Sequence, residues 1–232
     1  MGGPGRQLIV LGGGGTDPEN LAINRYILKQ ARSPTPAVRF IGTASGDSDA
    51  YLVQFYSTFC RLDCRPSHLP FFRRTPDLRD YILRQDVVFV GGGNTKSLLA
   101  VWRDWGLPDV LREAWEVGLM LSGVSAGAIC WFEQGVTDSW AGRLAVLEGL
   151  GFVRGSYCPH YDGEPERRPA YHDFLLRGEI SPGLAIDDRA AVHLVEGGVY
   201  RVVSWHPAAT AYRVRAEGGA VYEEALPAEY LG

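Results

Sequence analysis

Lysine is almost absent from this chain. Only Lys29 and Lys96 occur among the 23 basic residues of a 232-residue sequence, so arginine carries nearly all of the positive charge. Schiff-base and pyridoxal chemistry requires a lysine amine. The shortage therefore disfavours a pyridoxal enzyme.

An excess of positive charge is also missing. The formal net charge is -4 at pH 7, whereas a protein that binds a polyanion needs clustered cations to release its counterions. Nucleic acid is therefore not an expected partner.

Long apolar runs are missing as well. No run approaches the roughly 20 residues that a helix needs to cross a bilayer, and residues 1–6 lack the apolar stretch of a secretion signal. We therefore expect a cytoplasmic protein with no membrane partner.

Cysteine is scarce, with four residues at Cys60, Cys64, Cys130 and Cys158. Their spacing fits no common zinc motif. We expect reduced and mostly buried thiols, as in other cytosolic proteins, and no metal site.

What the chain does contain is a regular alternation of short apolar runs and amphipathic segments. The runs predict strands at 8–11, 38–41, 87–90 and 119–124, and the segments between them predict helices at 20–31, 50–61, 95–105 and 108–116. This alternation is typical of parallel strands joined by right-handed crossovers. The predicted fold class is α/β, a doubly wound and mostly parallel sheet that binds ligands beyond the carboxyl ends of its strands.

The pattern changes after Tyr157. Short strands are predicted at 184–186, 191–195, 199–203 and 211–214, separated by turns such as the one at 196–198. We expect a C-terminal antiparallel β extension on the same sheet. Because no linker or repeat interrupts the chain, residues 1–232 are predicted to form a single domain.

The sharpest motif is the run Gly-Val-Ser-Ala-Gly at 123–127, which follows an apolar strand and opens a segment that we expect to be helical through residues 128–132. In a nucleophile elbow, a serine occupies a tight turn between strand and helix, and flanking glycines relieve crowding. This context makes Ser125 a candidate nucleophile. The alternative is that Ser122 and Ser125 cap the following helix.

An active serine needs a base, and two of the five histidines follow predicted strands. His160 lies after a short apolar segment, where it would share the sheet edge with Ser125. His206, which precedes Pro207, is the second candidate. A histidine that bonds a serine hydroxyl can take its proton.

The third group should be a carboxylate that fixes the imidazole tautomer. Asp188 follows the predicted strand at 184–186, and Asp138 lies beyond the segment opened by Ser125. Spacing alone does not choose between them, because each is also an ordinary turn residue.

Backbone N–H groups for an oxyanion could come from the glycine loop at 91–93, directly after the strand at 87–90, together with Ala126. The same loop ends in Lys96-Ser97, as a phosphate-binding loop does. That alternative fails because Thr95 stands where the motif requires glycine. The glycines at 12–15 also lack the spacing of a dinucleotide site.

Three motifs follow one another along the chain: Val-Gly-Gly-Gly-Asn-Thr at 90–95, Gly-Val-Ser-Ala-Gly-Ala at 123–128 and Cys-Pro-His at 158–160. In this order they resemble the peptidase E family of serine peptidases, which are aspartyl dipeptidases with cyanophycinases as relatives. The resemblance covers nearly the whole chain. It implies a fold similar to the flavodoxin-like class I glutamine amidotransferases, with serine in place of cysteine.

By this resemblance Ser125 corresponds to the nucleophile, His160 to the base, and Gly92 with Ala126 to the oxyanion donors. The acid of the family has two assignments, which correspond here to Asp188 and Asp138. We favour Asp188, although relatives carry a longer glutamate at that position.

The resemblance also implies an arginine clamp for a substrate carboxylate, with Glu166 or Arg167 at the clamp position and Asn94 as a further substrate-binding residue. If Arg167 or Arg168 faces the site, N-terminal aspartate is the expected specificity. If Glu166 faces it, an amine or a basic side chain would fit better.

The predicted function is that of a cytoplasmic serine exopeptidase that cleaves dipeptides or short peptides through an acyl-enzyme and favours N-terminal aspartate. It needs no metal or organic cofactor. The expected partners are the peptide and, in a homodimer, a second copy of the chain. The alternatives are a cyanophycinase-like hydrolase of β-aspartyl dipeptides and a non-catalytic amidotransferase-like module that binds a ligand.

Overall fold

The structure is a computed structural model that describes residues 5–17 and 21–232. Its strands are β1 (Gln7–Leu11), β2 (Ala37–Ile41), β3 (Arg65–Leu69), β4 (Val87–Val90), β5 (Met120–Val124), β6 (Phe132–Trp140), β7 (Arg143–Glu148), β8 (Val153–Cys158), β9 (Gly183–Ile186), β10 (Ala190–Val195), β11 (Gly198–Ser204), β12 (Ala211–Glu217), β13 (Ala220–Leu226) and β14 (Glu229–Tyr230). The α-helices are α1 (Ala22–Gln30), α2 (Asp49–Phe59), α3 (Leu78–Leu83), α4 (Thr95–Asp104), α5 (Leu107–Glu116), α6 (Ala126–Ile129) and α7 (Arg167–Leu176).

The larger sheet has eight strands in the order β14-β11-β10-β1-β5-β4-β2-β3. Five adjacent strands of this sheet are parallel to one another: β1, β5, β4, β2 and β3. Strand β10 runs antiparallel to β1, and β11 runs antiparallel to β10. The edge strand β14 pairs in parallel with β11. The sheet is therefore mixed, with a parallel half and a flank in which β10 and β11 are antiparallel.

Apolar side chains project from both faces of this sheet. Leu8 and Val10 of β1 pack in one core cluster, while Ile9 and Leu11 pack in another. Alternate residues of a strand point to opposite faces, so both faces of β1 are buried. Helices α1 and α2 contribute buried residues to the second cluster, and α3, α4 and α5 contribute to the first.

A second sheet holds six strands in the order β13-β12-β9-β8-β6-β7. The predicted extension of one sheet is therefore correct for β10 and β11 but wrong for β9 and β12. Strand β9 pairs in parallel with β8, and β12 pairs with β9. The short strand patterns show that these segments are extended, but their partners depend on contacts distant in sequence.

The helix after Ser125 is shorter than predicted and ends at Ile129. The carbonyl oxygens of Cys130 and Trp131 accept hydrogen bonds from the N–H groups of Leu150 and Phe152. This pairing draws the chain out of the helix, and β6 begins at Phe132. The other predicted helices match α1, α2, α4 and α5 within two residues, except that Asn20, at one predicted boundary, lies outside the described residues.

The two sheets meet at the carboxyl ends of β1 and β8. The hydroxyl of Tyr157, near the end of β8, donates to the carbonyl oxygen of Leu11 at 2.7 Å. Tyr157 and Leu184 of the second sheet share a core cluster with Leu8 and Val10 of the first. This packing brings loops from both sheets to one edge. In residues 5–17 and 21–232, no helix has both the length and the apolar character to cross a membrane.

Candidate active site

Ser125 occupies a tight turn between β5 and α6. Its backbone has φ 54° and ψ -118°, a conformation that residues other than glycine rarely adopt. A β-carbon at Gly123 would lie 2.0 Å from the carbonyl oxygen of Gly127, and one at Gly127 would lie 2.3 Å from that of Val90. Only glycine fits at either position. The capping alternative is wrong for Ser125, because its side chain makes no cap hydrogen bond.

His160 follows β8 and reaches Ser125 from the other sheet. Its Nε2 lies 2.9 Å from the Ser125 Oγ, and its Nδ1 lies 2.7 Å from the Asp188 Oδ1. The three side chains therefore form a continuous hydrogen-bonded row. His206, the second candidate, is exposed after β11 and is not the partner of Ser125.

Asp188 lies in the turn between β9 and β10. The hydrogen bond from His160 lowers the pKa of this carboxyl, more than burial raises it. An ionised Asp188 keeps the proton of the imidazole on Nδ1, which leaves Nε2 as the acceptor for the serine hydroxyl. The backbone N–H of Asp188 donates to the Asp162 Oδ1 at 2.7 Å, which fixes the turn.

Glycines allow the short Asp188 side chain to reach the imidazole. A β-carbon at Gly13 would lie 1.9 Å from the Asp188 Oδ1, and one at Gly163 would lie 2.1 Å from its Oδ2. Both loops therefore pack their backbones directly against the carboxylate. Because of this close packing, the aspartate reaches His160 although its side chain is shorter than the glutamate of the relatives.

Asp138 lies elsewhere. Its side chain, on β6, is 63% exposed, and its charged partner is the Arg167 guanidinium at 3.4 Å. Among the described residues, Asp188 is the carboxylate that is hydrogen-bonded to the His160 imidazole.

The glycine loop after β4 lies against Ser125. A β-carbon at Gly92 would be 3.3 Å from the Ser125 Cβ. The N–H of Gly92 donates to the hydroxyl of Tyr51, at 3.2 Å. Within the described part of the chain, the N–H of Ala126 finds no acceptor. Of the two predicted oxyanion donors, Ala126 thus has an unbonded N–H, and Gly92 is bonded to Tyr51, a residue outside the sequence motifs.

Comparison with known proteins assigns the family. The model of peptidase family S51 matches residues 8–202. The chain belongs to this family. It is a serine peptidase, and the resemblance to peptidase E is confirmed at the family level.

This S51 peptidase is 49% identical over 230 residues to YgaJ, an uncharacterized peptidase of Bacillus subtilis (strain 168); the match covers 98% of this chain and 100% of the relative. Its fold is similar to that of a peptidase from an acI-B1 Actinobacterium, with a TM-score of 0.74, 20% identity and coverage of 97% and 96%. A protein described as peptidase E from Listeria monocytogenes EGD-e gives a TM-score of 0.64 at 17% identity, with coverage of 86% and 98%.

Asn94 of the S51 peptidase has a structural role. Its side-chain oxygen caps α4 by accepting the N–H of Ser97 at 2.9 Å, and its amide donates to the carbonyl oxygen of Ser139 at 3.0 Å. These bonds hold the glycine loop to β6. A substrate contact of Asn94 stays a prediction.

Arg167 is almost fully buried at the start of α7. Its guanidinium donates to the Val136 carbonyl oxygen at 2.8 Å and to the Glu164 carboxylate at 2.5 Å, and it lies 3.4 Å from Asp138. Arg168 is paired with Glu223. Both arginines of the predicted clamp therefore already have carboxylate partners.

A cavity of about 590 Å³ lies between the β6–β7 hairpin and the loop that leads into α7. Asp138, Glu164 and Glu166 line it with carboxylates, and Trp140 and Arg143 complete the polar and aromatic lining. The N–H of Glu164 donates to the carbonyl oxygen of His160 at 3.1 Å. The loop that carries His160 therefore links this cavity to the hydrogen-bonded row of Ser125, His160 and Asp188.

In the described part of the S51 peptidase, no group of three or more histidine, cysteine, aspartate or glutamate side chains is arranged to hold a metal ion. Asp187, next to Asp188, is a buried acid outside the hydrogen-bonded row. Its Oδ2 accepts the N–H of Thr210 at 3.0 Å. Burial raises its pKa to about 6.

A raised pKa at Asp187 makes the protein less stable as pH rises. Below about pH 4 the carboxyl is protonated in both the folded and unfolded states; above its folded pKa it is ionised in both, and burial disfavours the folded state. We predict that Asp187→Asn increases Tm more at about pH 8 than at about pH 5. Thermal unfolding at the two pH values is the measurement.

The matched control is Asp104→Asn, a change at an exposed aspartate of α4. It should shift Tm equally at both pH values. An equal shift for Asp187→Asn as well would contradict the assignment of an unfavourable buried charge at this position.

Proposed function

We propose that this S51 peptidase is an exopeptidase that hydrolyses dipeptides or short peptides near the N-terminus through an acyl-enzyme. The observation that carries the proposal is the row of hydrogen bonds from Ser125 to His160 and from His160 to Asp188, at 2.9 Å and 2.7 Å. A serine hydroxyl, an imidazole and a carboxylate in this order form an activated nucleophile.

In the proposed reaction the Ser125 Oγ attacks the carbonyl carbon of the scissile peptide bond while its proton moves to the His160 Nε2. Asp188 stabilises the imidazolium that forms. The imidazolium then gives this proton to the leaving amine, and water later hydrolyses the acyl-serine with His160 again acting as base.

The developing oxyanion would be stabilised by the N–H groups of Ala126 and Gly92. Ala126 has an open N–H at the start of α6, and Gly92 would exchange its bond to Tyr51 for one to the substrate oxygen. Each such donor contributes about 3 kcal/mol to transition-state stabilisation.

The carboxylate-lined cavity supports binding of a positively charged N-terminus. An exopeptidase of this kind must recognise the free α-ammonium group. Asp138 and Glu164 are already paired with Arg167, so the exposed carboxylate of Glu166 is the group that would bind the amine. The predicted preference for N-terminal aspartate has less support, because Arg167 and Arg168 are already paired with carboxylates. We therefore propose that the site selects the amine rather than an aspartate side chain.

We further propose that the enzyme works in the cytoplasm as one domain, residues 1–232. The four cysteines are free thiols, as is usual in a reducing compartment. Residues of both sheets pack in a shared core cluster, which supports a single cooperative unit.

A fluorophosphonate probe tests the nucleophile. Because the probe reacts with activated serines, we expect it to label the wild-type protein and not Ser125→Ala. Mass spectrometry of the labelled peptide is the measurement. Absence of labelling in folded wild-type protein would overturn the proposed function and favour a non-catalytic module.

Two aspartate variants test the acid. We expect Asp188→Asn to lower kcat by a factor on the order of 10⁴, because the imidazole loses the partner that fixes its tautomer. Asp138→Asn should leave kcat within about threefold of wild type, since its partner is Arg167. Steady-state kinetics of both variants give the answer, and a larger loss of kcat in Asp138→Asn would reverse the assignment.

A panel of dipeptides that differ only in the first residue tests the specificity. We expect kcat/KM for Asp-X to be no higher than for Ala-X or Arg-X, and N-acetylation of the same dipeptides to abolish cleavage. A tenfold preference for Asp-X, on the order of 1.4 kcal/mol, would restore the aspartyl specificity. A β-aspartyl-arginine dipeptide in the panel tests the cyanophycinase-like alternative.

A further inference from the structure

His160 holds a backbone conformation that needs external support. Its φ of 52° lies in the left-handed region, which is uncommon for a residue with a side chain. Such a conformation persists only where the surrounding structure enforces it. The contacts of the next residue, Tyr161, supply part of this support, because the Tyr161 N–H donates to the carbonyl oxygen of Ile186 at 3.2 Å.

The side chain of Tyr161 is 2% exposed and lies in a cluster of aromatic rings on the second sheet. Its ring centroid is 5.4 Å from that of Tyr212 and 6.4 Å from that of Tyr171. At the far end of this ring, the hydroxyl donates to the carboxylate of Glu223 and lies 2.9 Å from the His172 Nε2. The residue next to the base is therefore anchored through its hydroxyl.

Glu223, on β13, is the acceptor shared by this cluster. Its side chain is 17% exposed. It accepts hydrogen bonds from the Tyr161 hydroxyl, from both the Nε and a terminal nitrogen of Arg168, and from the His172 Nε2 at 2.7 Å. Burial would raise the pKa of Glu223, but these donors outweigh it and lower the pKa to about 2. The carboxylate is thus ionised whenever the enzyme is at neutral pH.

We propose that Glu223 is a positioning residue for the base His160. It joins β13, α7 and the loop after β8, and it fixes Tyr161 so that the backbone of its neighbour His160 keeps the conformation in which Nε2 faces Ser125. The inference rests on the proposed function, in which His160 takes the serine proton. Glu223 itself touches neither Ser125 nor Asp188 in the described contacts, so it acts through the loop.

The variant Glu223→Gln keeps the size of the side chain and removes its charge. We expect kcat and the rate of fluorophosphonate labelling to fall by about tenfold, with KM changed by less than about twofold, because support of a reacting group affects chemistry more than binding. A loss of stability alone would lower Tm and leave these rates unchanged at a temperature where the variant is folded.

Glu224→Gln is the matched control. Glu224 is the next residue of β13, is 69% exposed and lies 3.9 Å from the Arg213 guanidinium. This variant removes the same charge from the same strand and should retain wild-type kcat and labelling rate. The proposal would be overturned if Glu223→Gln and Glu224→Gln had the same kcat and the same rate of fluorophosphonate labelling.

Tyr161→Phe serves if Glu223→Gln does not fold. It keeps the ring that packs in the cluster and removes only the hydroxyl, and we expect the same direction of change in kcat. A crystal structure of either folded variant tests the positioning directly. The distance from the His160 Nε2 to the Ser125 Oγ should increase beyond hydrogen-bond reach, about 3.5 Å, and an unchanged distance would refute the proposal.

Labelling of the wild-type protein distinguishes failure of the positioning role of Glu223 from failure of the proposed peptidase function. If wild-type protein is labelled and Glu223→Gln is labelled at the same rate, the positioning role is wrong and the peptidase proposal stands. If wild-type protein is not labelled, the proposed function fails, and the crystallographic distance still decides whether Glu223 holds His160.

Discussion

The hydrogen bond between His160 and Asp188 is the contact on which the arrangement of the site depends. His160 follows β8 of the six-stranded sheet, and Asp188 lies where the chain passes from that sheet to β10 of the eight-stranded sheet. Ser125 directly follows β5 of the eight-stranded sheet. The bond therefore holds the proposed base, which follows a strand of one sheet, within reach of the proposed nucleophile, which follows a strand of the other. Changes in the packing of the two sheets would therefore alter the distance from the His160 imidazole to the Ser125 hydroxyl.

Local rules made the three residues of the row candidates, and the family resemblance favoured Asp188 over Asp138. Ser125 stands between two glycines that crowding requires, and His160 and Asp188 each follow a short apolar strand. The parallel half of the larger sheet was predictable for the same reason, since strands and helices alternate along the chain. In each case the signal lies within a few neighbouring residues.

The assignment of strands to two sheets was not predictable, because pairing partners are distant in sequence. The sequence pattern of β9 is compatible with pairing to either β8 or β10, and tertiary packing decides which strand becomes its neighbour. The contacts of Tyr51 and Glu223 were not predictable for a similar reason. Each acts on residues about 40 to 60 positions away, and neither belongs to a motif. The cap that Asn94 makes on Ser97 is local in sequence, whereas its contact with Ser139 was not predictable because it depends on how β6 returns to the loop.

The bond from Gly92 to the Tyr51 hydroxyl has a consequence for selectivity between reaction states. Burial raises the pKa of Tyr51, so the oxygen that Gly92 meets in the free enzyme is a neutral phenol. A neutral substrate carbonyl gains little by displacing it, because one uncharged acceptor replaces another. An alkoxide attracts the same N–H more strongly. In the proposed reaction the charged intermediate would therefore favour this exchange more than the bound substrate does, so the Tyr51 phenol would contribute to differential binding of the transition state.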